Sequence, residues 1–205
     1  VKLDASAIEL LAPLFDNEDW KSKAAEKAAP IEFRRGNFLK AQEHYTVSLA
    51  ADSARAFLGL GMIHFELGEP TEALQDLDKS LSIDPTQSDA YRTKGRILST
   101  MRRRLEAAAS FEMVTQISPL DWNAHFELGT SFLQAGEPAR ALLPLEEAVR
   151  LAPEETRVLF NAAIANRERG NHQRARELFS EVLRISPNHP QASKIRLWLS
   201  GGAPK

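Results

Sequence analysis

The sequence predicts an all-α solenoid, in which antiparallel helix pairs stack one after another. The first observation is a proline that recurs every 34 residues, at Pro85, Pro119, Pro153 and Pro187. The second is two sets of small residues that keep the same step, one of Gly61, Gly95, Gly129 and Ala163, the other of Ala73, Ala107, Ala141 and Ala175. A fixed period in this range indicates stacked supersecondary units, which form an extended surface and seldom an active site.

Composition sets limits on the class of protein. Of the 205 residues, 43% are hydrophobic and 26% are charged, so the chain is able to bury a core. The net charge of −2 gives no overall attraction to nucleic acid or to an anionic membrane. The absence of cysteine excludes disulfides, thiol catalysis and cysteine-type zinc sites, and it fits a cytoplasmic or a periplasmic compartment equally. No apolar run approaches the roughly 18 to 20 residues that a membrane helix needs.

Each repeat unit contains two helical patterns that are separated by a turn, as residues 122–155 illustrate. Gly136 stands where a left-handed residue is expected after the first helix. Pro138 then opens the second helix, because proline is tolerated in a first turn, and Pro153 ends it. The first helix presents its apolar and small residues at helical spacing, namely Trp122, His125, Leu128, Gly129, Phe132 and Ala135.

The small residues predict a close approach of the two helices in a pair. Gly129 and Ala141 lie on facing stripes of the two helices. Their small side chains allow the helix axes to approach to the short end of the roughly 8–10 Å range of distances between packed helices. A two-stranded coiled coil is the competing helical interpretation, and the regularly spaced glycines and prolines argue against it.

We expect one solenoid domain over residues 1–205. It begins with a helical segment at 1–21 and a degenerate unit at 22–53, whose first helix should kink or break at Pro30. Terminal elements are expected to be atypical, because one face has no neighbour, and 201–205 is expected to be a frayed tail. Between these ends lie four regular units and a capping helix, at 54–87, 88–121, 122–155, 156–189 and 190–200.

These patterns resemble the tetratricopeptide repeat family. The resemblance covers about residues 54–189 well and 22–53 weakly. It implies a right-handed superhelix in which the first helix of each unit lines a concave face, and it implies a scaffold or adaptor that binds a protein or peptide there. The family pattern is carried in one unit by Phe57, Leu60, Gly61, Gly68, Ala73, Leu77 and Pro85, and in another by Leu128, Gly129, Phe132, Gly136, Ala141, Leu145, Ala148 and Pro153.

Two residues depart from the family pattern. Arg102 occupies a turn-glycine position, where a left-handed backbone would cost a non-glycine residue up to about 1 kcal/mol. Pro144 lies inside a second helix, where proline costs roughly 3 kcal/mol. We therefore expect that helix to bend outward or to start later.

The candidate binding surface is one face of the first helix in each unit. Residues at its second, fifth, ninth and twelfth places share that face. It carries five arginines and seven large apolar residues, which predicts an acidic protein or peptide partner with apolar anchors. The alternative is that the apolar members fill the solenoid interior or pack on a neighbouring unit. The predicted partner-binding residues are Arg55, Leu58, Met62, Phe65, Arg92, Arg96, Asn123, Phe126, Leu133, Arg157, Phe160, Ile164 and Arg167.

A carboxylate clamp of the kind that binds chaperone tails is not supported. Leu58 and Met62 stand where the clamp needs Lys and Asn, and Glu127 would repel a carboxylate. The run 102–104 is a separate basic turn. Its ordinary interpretation is a solvated loop, the sharper one is a docking point for an acidic partner, and nucleic acid is a third.

No enzyme, cofactor or metal site is predicted. The five histidines are scattered, and none forms a pair with zinc-site spacing. His64 and His125 are expected to be packing residues. Beside the interaction scaffold, two alternatives stay open: a repeat segment of a larger multidomain protein, since the chain begins with Val1 and not Met, and a structural protein that assembles end to end.

Overall fold

The computed structural model describes residues 2–49 and 53–201, and the regular elements within these ranges are all helical. The predicted all-α fold is therefore confirmed for this part of the chain. Of the predicted tail, only Gly201 falls within the described residues. The helices are α1 (Lys2–Leu11), α2 (Glu18–Arg34), α3 (Phe38–Ser48), α4 (Ala54–Glu66), α5 (Pro70–Ile83), α6 (Ser88–Thr100), α7 (Arg104–Ile117), α8 (Trp122–Gln134), α9 (Pro138–Leu151), α10 (Thr156–Glu168), α11 (His172–Ile185) and α12 (Ala192–Leu199), with a 3₁₀ turn at Ala12–Leu14.

The chain divides into two compact units, Val1–Ile97 and Leu98–Lys205. In the first unit α2 packs on α3 and α4 packs on α5, and in the second α8 packs on α9 and α10 on α11. The core of the first unit includes Tyr45, Leu60, Ile63, Leu77 and Ile97. The core of the second includes Phe111, Val114, Leu145, Val158, Phe179 and Val182.

The two helices of a pair approach each other closely where one of them carries glycine. A Cβ atom at Gly129 would lie 2.5 Å from Leu145 Cγ and 3.3 Å from the Ala141 carbonyl oxygen. At Gly61 the corresponding atom would lie 3.0 Å from the Ala73 carbonyl oxygen. These two crossings show the close approach that the sequence predicts.

The turn between the helices of a pair has a left-handed residue, which is glycine at positions 36, 68, 136 and 170. In the turn between α6 and α7 the same place is taken by Arg102, with φ of 60°. The backbone bond that closes this turn is unchanged, because Arg103 N donates to the Leu98 carbonyl at 2.9 Å, as Glu137 N does to Phe132. Arg102 thus keeps the glycine conformation and bears its cost of up to about 1 kcal/mol.

Neither interior proline interrupts its helix. α2 runs through Pro30 to Arg34, so the predicted break there is wrong. α9 begins at Pro138 and continues through Pro144, so a later start is also wrong. Packing explains both cases: Ala28 and Ala29 are fully buried next to the first proline, and the second is itself buried in the face that α9 turns inward.

Candidate functional site

In the second unit, α8 and α10 bring predicted residues together on neighbouring helices. The guanidinium carbon of Arg157 lies 5.7 Å from the ring centroid of Phe126 and 5.9 Å from that of Trp122. The two rings are themselves 6.5 Å apart and tilted by 52°. We call these three residues the aromatic–arginine cluster. A cation over aromatic faces at this distance is attracted by the ring quadrupoles.

Trp122 is not among the predicted partner-binding residues, because the sequence pattern places it on the stripe that packs within the helix pair. Its position in the cluster shows that the indole also contributes to the candidate surface. The signal that identifies it is its spacing, because it precedes Phe126 by one helical turn and so shares a face with it.

The charge of Arg157 remains accessible. Its Nε donates to Glu155 Oε1 at 3.1 Å, and the arginine side chain is 63% exposed. Glu155 also accepts the Arg157 backbone N–H and so caps α10. The terminal nitrogens Nη1 and Nη2 make no hydrogen bond or ion pair within the described residues. The guanidinium is therefore oriented by one carboxylate and two rings, and its two terminal nitrogens have no hydrogen-bond partner among the described residues.

Phe160, Ile164 and Arg167 line a separate cavity at the C-terminal end of the second unit. Its volume is about 230 Å³, and α11 and α12 complete it. The floor is aromatic: Phe160 and Phe179 meet edge to face at 5.8 Å, and Trp198 lies 5.3 Å from Phe179. The remaining lining residues are Gln191, Lys194 and Ile195, so Arg167 and Lys194 are the cationic members of an otherwise mostly apolar wall. We call it the α10–α12 cavity.

The other predicted residues of the second unit have supporting positions. Asn123 and Leu133 are half-buried on α8. The backbone N–H of Asn123 donates to Asp121, which caps the helix. A side-chain hydrogen bond of 2.9 Å from Asn161 to Thr130 links α10 with α8 and fixes their spacing.

In the first unit, the surroundings of Arg55 do not suit an acidic partner. Its Nη1 lies 3.2 Å from Glu26 Oε1. Asp84 and Asp89 line the same polar cavity of about 440 Å³, as do Arg55 and Leu58. Three carboxylates around one guanidinium give this cavity a net negative charge at neutral pH.

The apolar residues predicted in the first unit divide between packing and partial exposure. Leu58 and Phe65 pack against the core cluster that contains Leu77 and Ile97, as the packing alternative expects. Met62 is half-buried. Of the two predicted arginines on α6, Arg92 is half-buried and Arg96 is exposed.

The histidines all make packing or hydrogen-bonding contacts. His64 Nδ1 lies 2.7 Å from Asp76 Oδ2, and His125 Nε2 lies 2.9 Å from the Pro119 carbonyl oxygen, so both of these histidines, which the sequence predicts to be packing residues, have polar partners. His44 stacks on Phe15 at 5.0 Å. Burial lowers the pKa of His44, although Glu32 and Glu43 raise it in part. The ring of His189 lies 5.0 Å from that of Phe160, and the ring of His172 lies 6.3 Å from that of Trp198.

The described residues contain neither a candidate metal site nor a candidate membrane span. Across 2–49 and 53–201, no group of three or more His, Asp or Glu side chains is arranged to hold a metal ion. Among the helices described, none combines the length and the apolar character needed to cross a bilayer.

Sequence comparison identifies repeat proteins. Two family models, both described as tetratricopeptide repeat, match the chain, one at residues 54–87 and the other at residues 92–155 and 127–190. Human protein O-mannosyl-transferase TMTC3 is 28% identical over 157 residues, which cover 74% of this chain and 17% of that protein. Human tetratricopeptide repeat protein 6 is 25% identical over 134 residues, which cover 64% of this chain and 26% of that protein. The chain therefore spans less than a third of the length of either relative.

Solved structures with the same fold include YrrB, described as a TPR protein with an unusual peptide-binding site. Its TM-score is 0.81 at 18% identity, over 92% of this chain and 98% of YrrB. MamA from Desulfovibrio magneticus RS-1 has a TM-score of 0.71 at 22% identity, over 82% of this chain and 96% of the MamA chain. Pseudomonas aeruginosa pilF has a TM-score of 0.72 at 21% identity, over 90% and 85% of the two chains. At these identities the likeness establishes the helical-repeat fold.

Proposed function

Because the chain belongs to the tetratricopeptide repeat family, we propose that it is a protein-interaction scaffold that binds a segment of a partner protein on α8 and α10. Support comes mainly from the aromatic–arginine cluster. Its rings are partly exposed, and its guanidinium is held in place before any partner arrives. Arginine and aromatic residues are the types that most often dominate interface energies, and a preorganised side chain loses less entropy on binding.

The cluster suits a carboxylate that lies beside an apolar group. Nη1 and Nη2 of Arg157 offer the planar fork that binds a carboxylate bidentately. Phe126 and Trp122 would cover the adjoining apolar side chain of the partner. Glu155 opposes an acidic ligand in part, so the contribution of the charge should be modest and should fall as salt increases.

The α10–α12 cavity would take a second anchor. Its 230 Å³ is smaller than the roughly 300–1,000 Å³ of small-molecule sites, so a single apolar side chain suits it better than a drug-sized ligand. Arg167 and Lys194 would favour an acidic residue next to that anchor. In the first unit, Arg92, Arg96 and Met62 are proposed as secondary contacts, and Arg55 is not, because it pairs with Glu26 in a cavity that two further carboxylates line.

The test uses three variants and two matched controls as baits in affinity capture from a lysate of the source organism. Phe126→Ala and Arg157→Gln remove the two halves of the cluster, and Ile164→Ala opens the cavity. Arg150→Gln is the charge control, because Arg150 is 61% exposed and paired with Glu147, closely matching Arg157. Leu143→Ala removes an equally apolar but exposed side chain from α9.

We expect wild type and both controls to capture the same partner, and the cluster variants to lose it. Calorimetry with that partner should then show a loss of about 1–3 kcal/mol for each cluster variant, and the loss for Arg157→Gln should shrink at high salt. Circular dichroism must first show that the variants are folded. If folded Phe126→Ala and Arg157→Gln proteins bind as wild type does, α8 and α10 are not the binding surface.

A further inference from the structure

The turn between α6 and α7 has a non-glycine residue at a left-handed position, where glycine would be more stable. Within the described residues, Arg102 is the one non-glycine residue with a positive φ. The corresponding turns all have glycine there, at positions 36, 68, 136 and 170. A side chain in this conformation clashes with its own backbone, so a residue that keeps it costs folding free energy. Strain of this kind is often retained where the side chain has a function.

Contacts within the protein do not compensate for the strain. Arg102 is exposed, and its side chain makes no hydrogen bond or ion pair with any described residue. Arg103 beside it is neutralised by Glu106, with Nε–Oε1 and Nη2–Oε2 distances of 2.7 and 2.6 Å. Arg104 has no carboxylate partner in the described part of the chain. The turn therefore presents two uncompensated positive charges in a protein whose net charge is −2.

Two exposed apolar residues flank these charges. Met101 is 36% exposed and Leu105 is 49% exposed. Together with Arg102 and Arg104 they belong to one continuous stretch of sequence, residues 101–105, which we call the Arg–apolar turn. It differs from an ordinary solvated loop because uncompensated arginines and exposed large apolar residues occur side by side.

We infer that the Arg–apolar turn is a second docking surface, which binds an acidic segment of a partner protein with a large apolar side chain next to its carboxylates. The guanidinium groups of Arg102 and Arg104 bind the carboxylates, and Met101 and Leu105 contact the apolar side chain. A nucleic-acid binder that neutralises about 6–10 phosphates has many more cationic contacts than this turn offers, and lipid-binding basic clusters have about 4–8 Lys and Arg residues, so two uncompensated charges favour a protein segment over both.

The test uses synthetic probes and the whole chain. The main probe is a fluorescein-labelled ten-residue peptide of glutamates with leucine at every third place. A second peptide has glutamine for each glutamate, and a third has serine for each leucine. Labelled oligothymidylate and phosphatidylserine vesicles represent the two other anionic partners. Binding is measured by fluorescence anisotropy, and vesicle binding by co-sedimentation.

Four variants locate the site. Arg102→Gly removes one charge and restores the residue that the other turns have, so thermal unfolding should occur at the same or a higher temperature. Arg104→Gln removes the second charge. Arg150→Gln is the charge control, and Phe126→Ala reports on the surface of α8 and α10 that the proposed function uses.

We expect the glutamate–leucine peptide to bind more tightly than the other two peptides. Arg102→Gly and Arg104→Gln should each raise its Kd about two- to fivefold, since exposed pairs have modest strength. Arg150→Gln should leave the Kd unchanged, and the effects of Arg102→Gly and Arg104→Gln should be the same when they are measured in a Phe126→Ala background.

Three results would overturn the inference: failure of the peptide to bind, a wild-type Kd for both turn variants, or tighter Arg102-dependent binding of oligothymidylate or vesicles. Loss of binding only in Phe126→Ala would place the peptide on α8 and α10. That outcome would also overturn this inference, but it would leave the proposed function intact.

Discussion

At Gly129 there is no room for a side chain between α8 and α9. A methyl group at this position would lie 2.5 Å from Leu145 Cγ, and Leu145 is fully buried. The sequence predicts this crossing because glycine recurs in the same place of neighbouring units. It does not predict the still closer approach at Gly59, where a Cβ atom would overlap Tyr45 Cζ, because position 93, one period later, is threonine and the glycine leaves no periodic signal.

Replacement of Gly129 by leucine should therefore force the helix pair apart. We expect Gly129→Leu to lower the free energy of unfolding by on the order of 1–3 kcal/mol, because overpacking shifts side chains and backbone. The measurement is the urea midpoint of the circular dichroism signal. Gln134→Leu adds the same side chain to an exposed position of α8 and should leave the midpoint nearly unchanged. Equal midpoints for Gly129→Leu and wild type would show that the crossing tolerates a side chain.

Single helices are joined by polar contacts that periodicity alone does not reveal. Asn166 on α10 is 3% exposed, and its side chain donates to Glu146 Oε1 on α9 at 2.9 Å. Arg174 on α11 donates to the same carboxylate from Nε and Nη2, at 3.1 and 2.7 Å. The side chain of Asn171 donates to Asn166 Oδ1. This network links α9, α10 and α11 of the second unit beside the turn between α10 and α11.

A second polar pair follows the same arrangement in the first unit. Glu32 is 3% exposed and accepts a hydrogen bond from Asn37, five residues later, as Asn166 does from Asn171. Both of the donating asparagines follow the left-handed glycine of their turn. The five-residue spacing between the two polar residues is present in the sequence. The repeat pattern, however, is built on apolar residues and expects an aromatic side chain at the buried position that Glu32 and Asn166 occupy. The predicted break at Pro30 and the predicted later start of the helix that contains Pro144 were wrong for a related reason, since packing on neighbouring helices decides whether a helix continues.

The network makes acid stability depend on Glu146. Burial alone would raise the pKa of its carboxyl, but hydrogen bonds from Arg174 and Asn166 and the charge of Arg174 outweigh burial, so the pKa is held below its usual 4.5. A carboxyl with a depressed pKa stabilises the fold at pH values above 4.5, and this contribution is lost as the pH falls through the lower, folded-state pKa.

We expect Glu146→Gln to lose stability at pH 7 and to differ less from wild type at about pH 3, below the unfolded-state pKa of a glutamate. The measurement is the urea midpoint at both pH values. Glu112→Gln, on the exposed face of α7, serves as the control and should follow wild type at each pH. A constant difference between Glu146→Gln and wild type at the two pH values would show that ionisation of this carboxyl does not stabilise the fold.

At the scale of the whole molecule, the last unit of a helical repeat has an apolar face with no neighbouring unit to stack on it, and this face needs to be covered. The period of 34 residues predicts the helix pairs, because the same two-helix unit repeats along the chain and each unit contacts mainly the units next to it. For the same reason it does not predict which exposed side chains of different pairs meet. The aromatic–arginine cluster depends on Arg157 of one pair reaching the rings of another, and the α10–α12 cavity depends on a terminal helix that has no counterpart in the repeat.

α12 is the element that covers the end of the second unit. Trp198 packs edge to face on the buried ring of Phe179 at 5.3 Å, and Arg176 lies over Trp198 and donates to the Leu199 carbonyl at 2.7 Å. Loss of the indole would expose part of an apolar face that ordinarily stacks on another helix. Such faces associate with one another in water, which is why terminal repeats need a polar outer surface.

Trp198→Ala should therefore lower stability by about 1–3 kcal/mol and cause the protein to associate. Light scattering after size exclusion, over a range of loading concentrations, measures the association, and thermal unfolding measures the stability. Leu197→Ser alters a 52% exposed residue of the same helix and should leave both unchanged. If Trp198→Ala elutes with the wild-type mass at every concentration, α12 does not protect the end of the repeat. Wild-type protein whose mass itself rises with concentration would instead favour end-to-end assembly, because the intact end would then already be a contact surface.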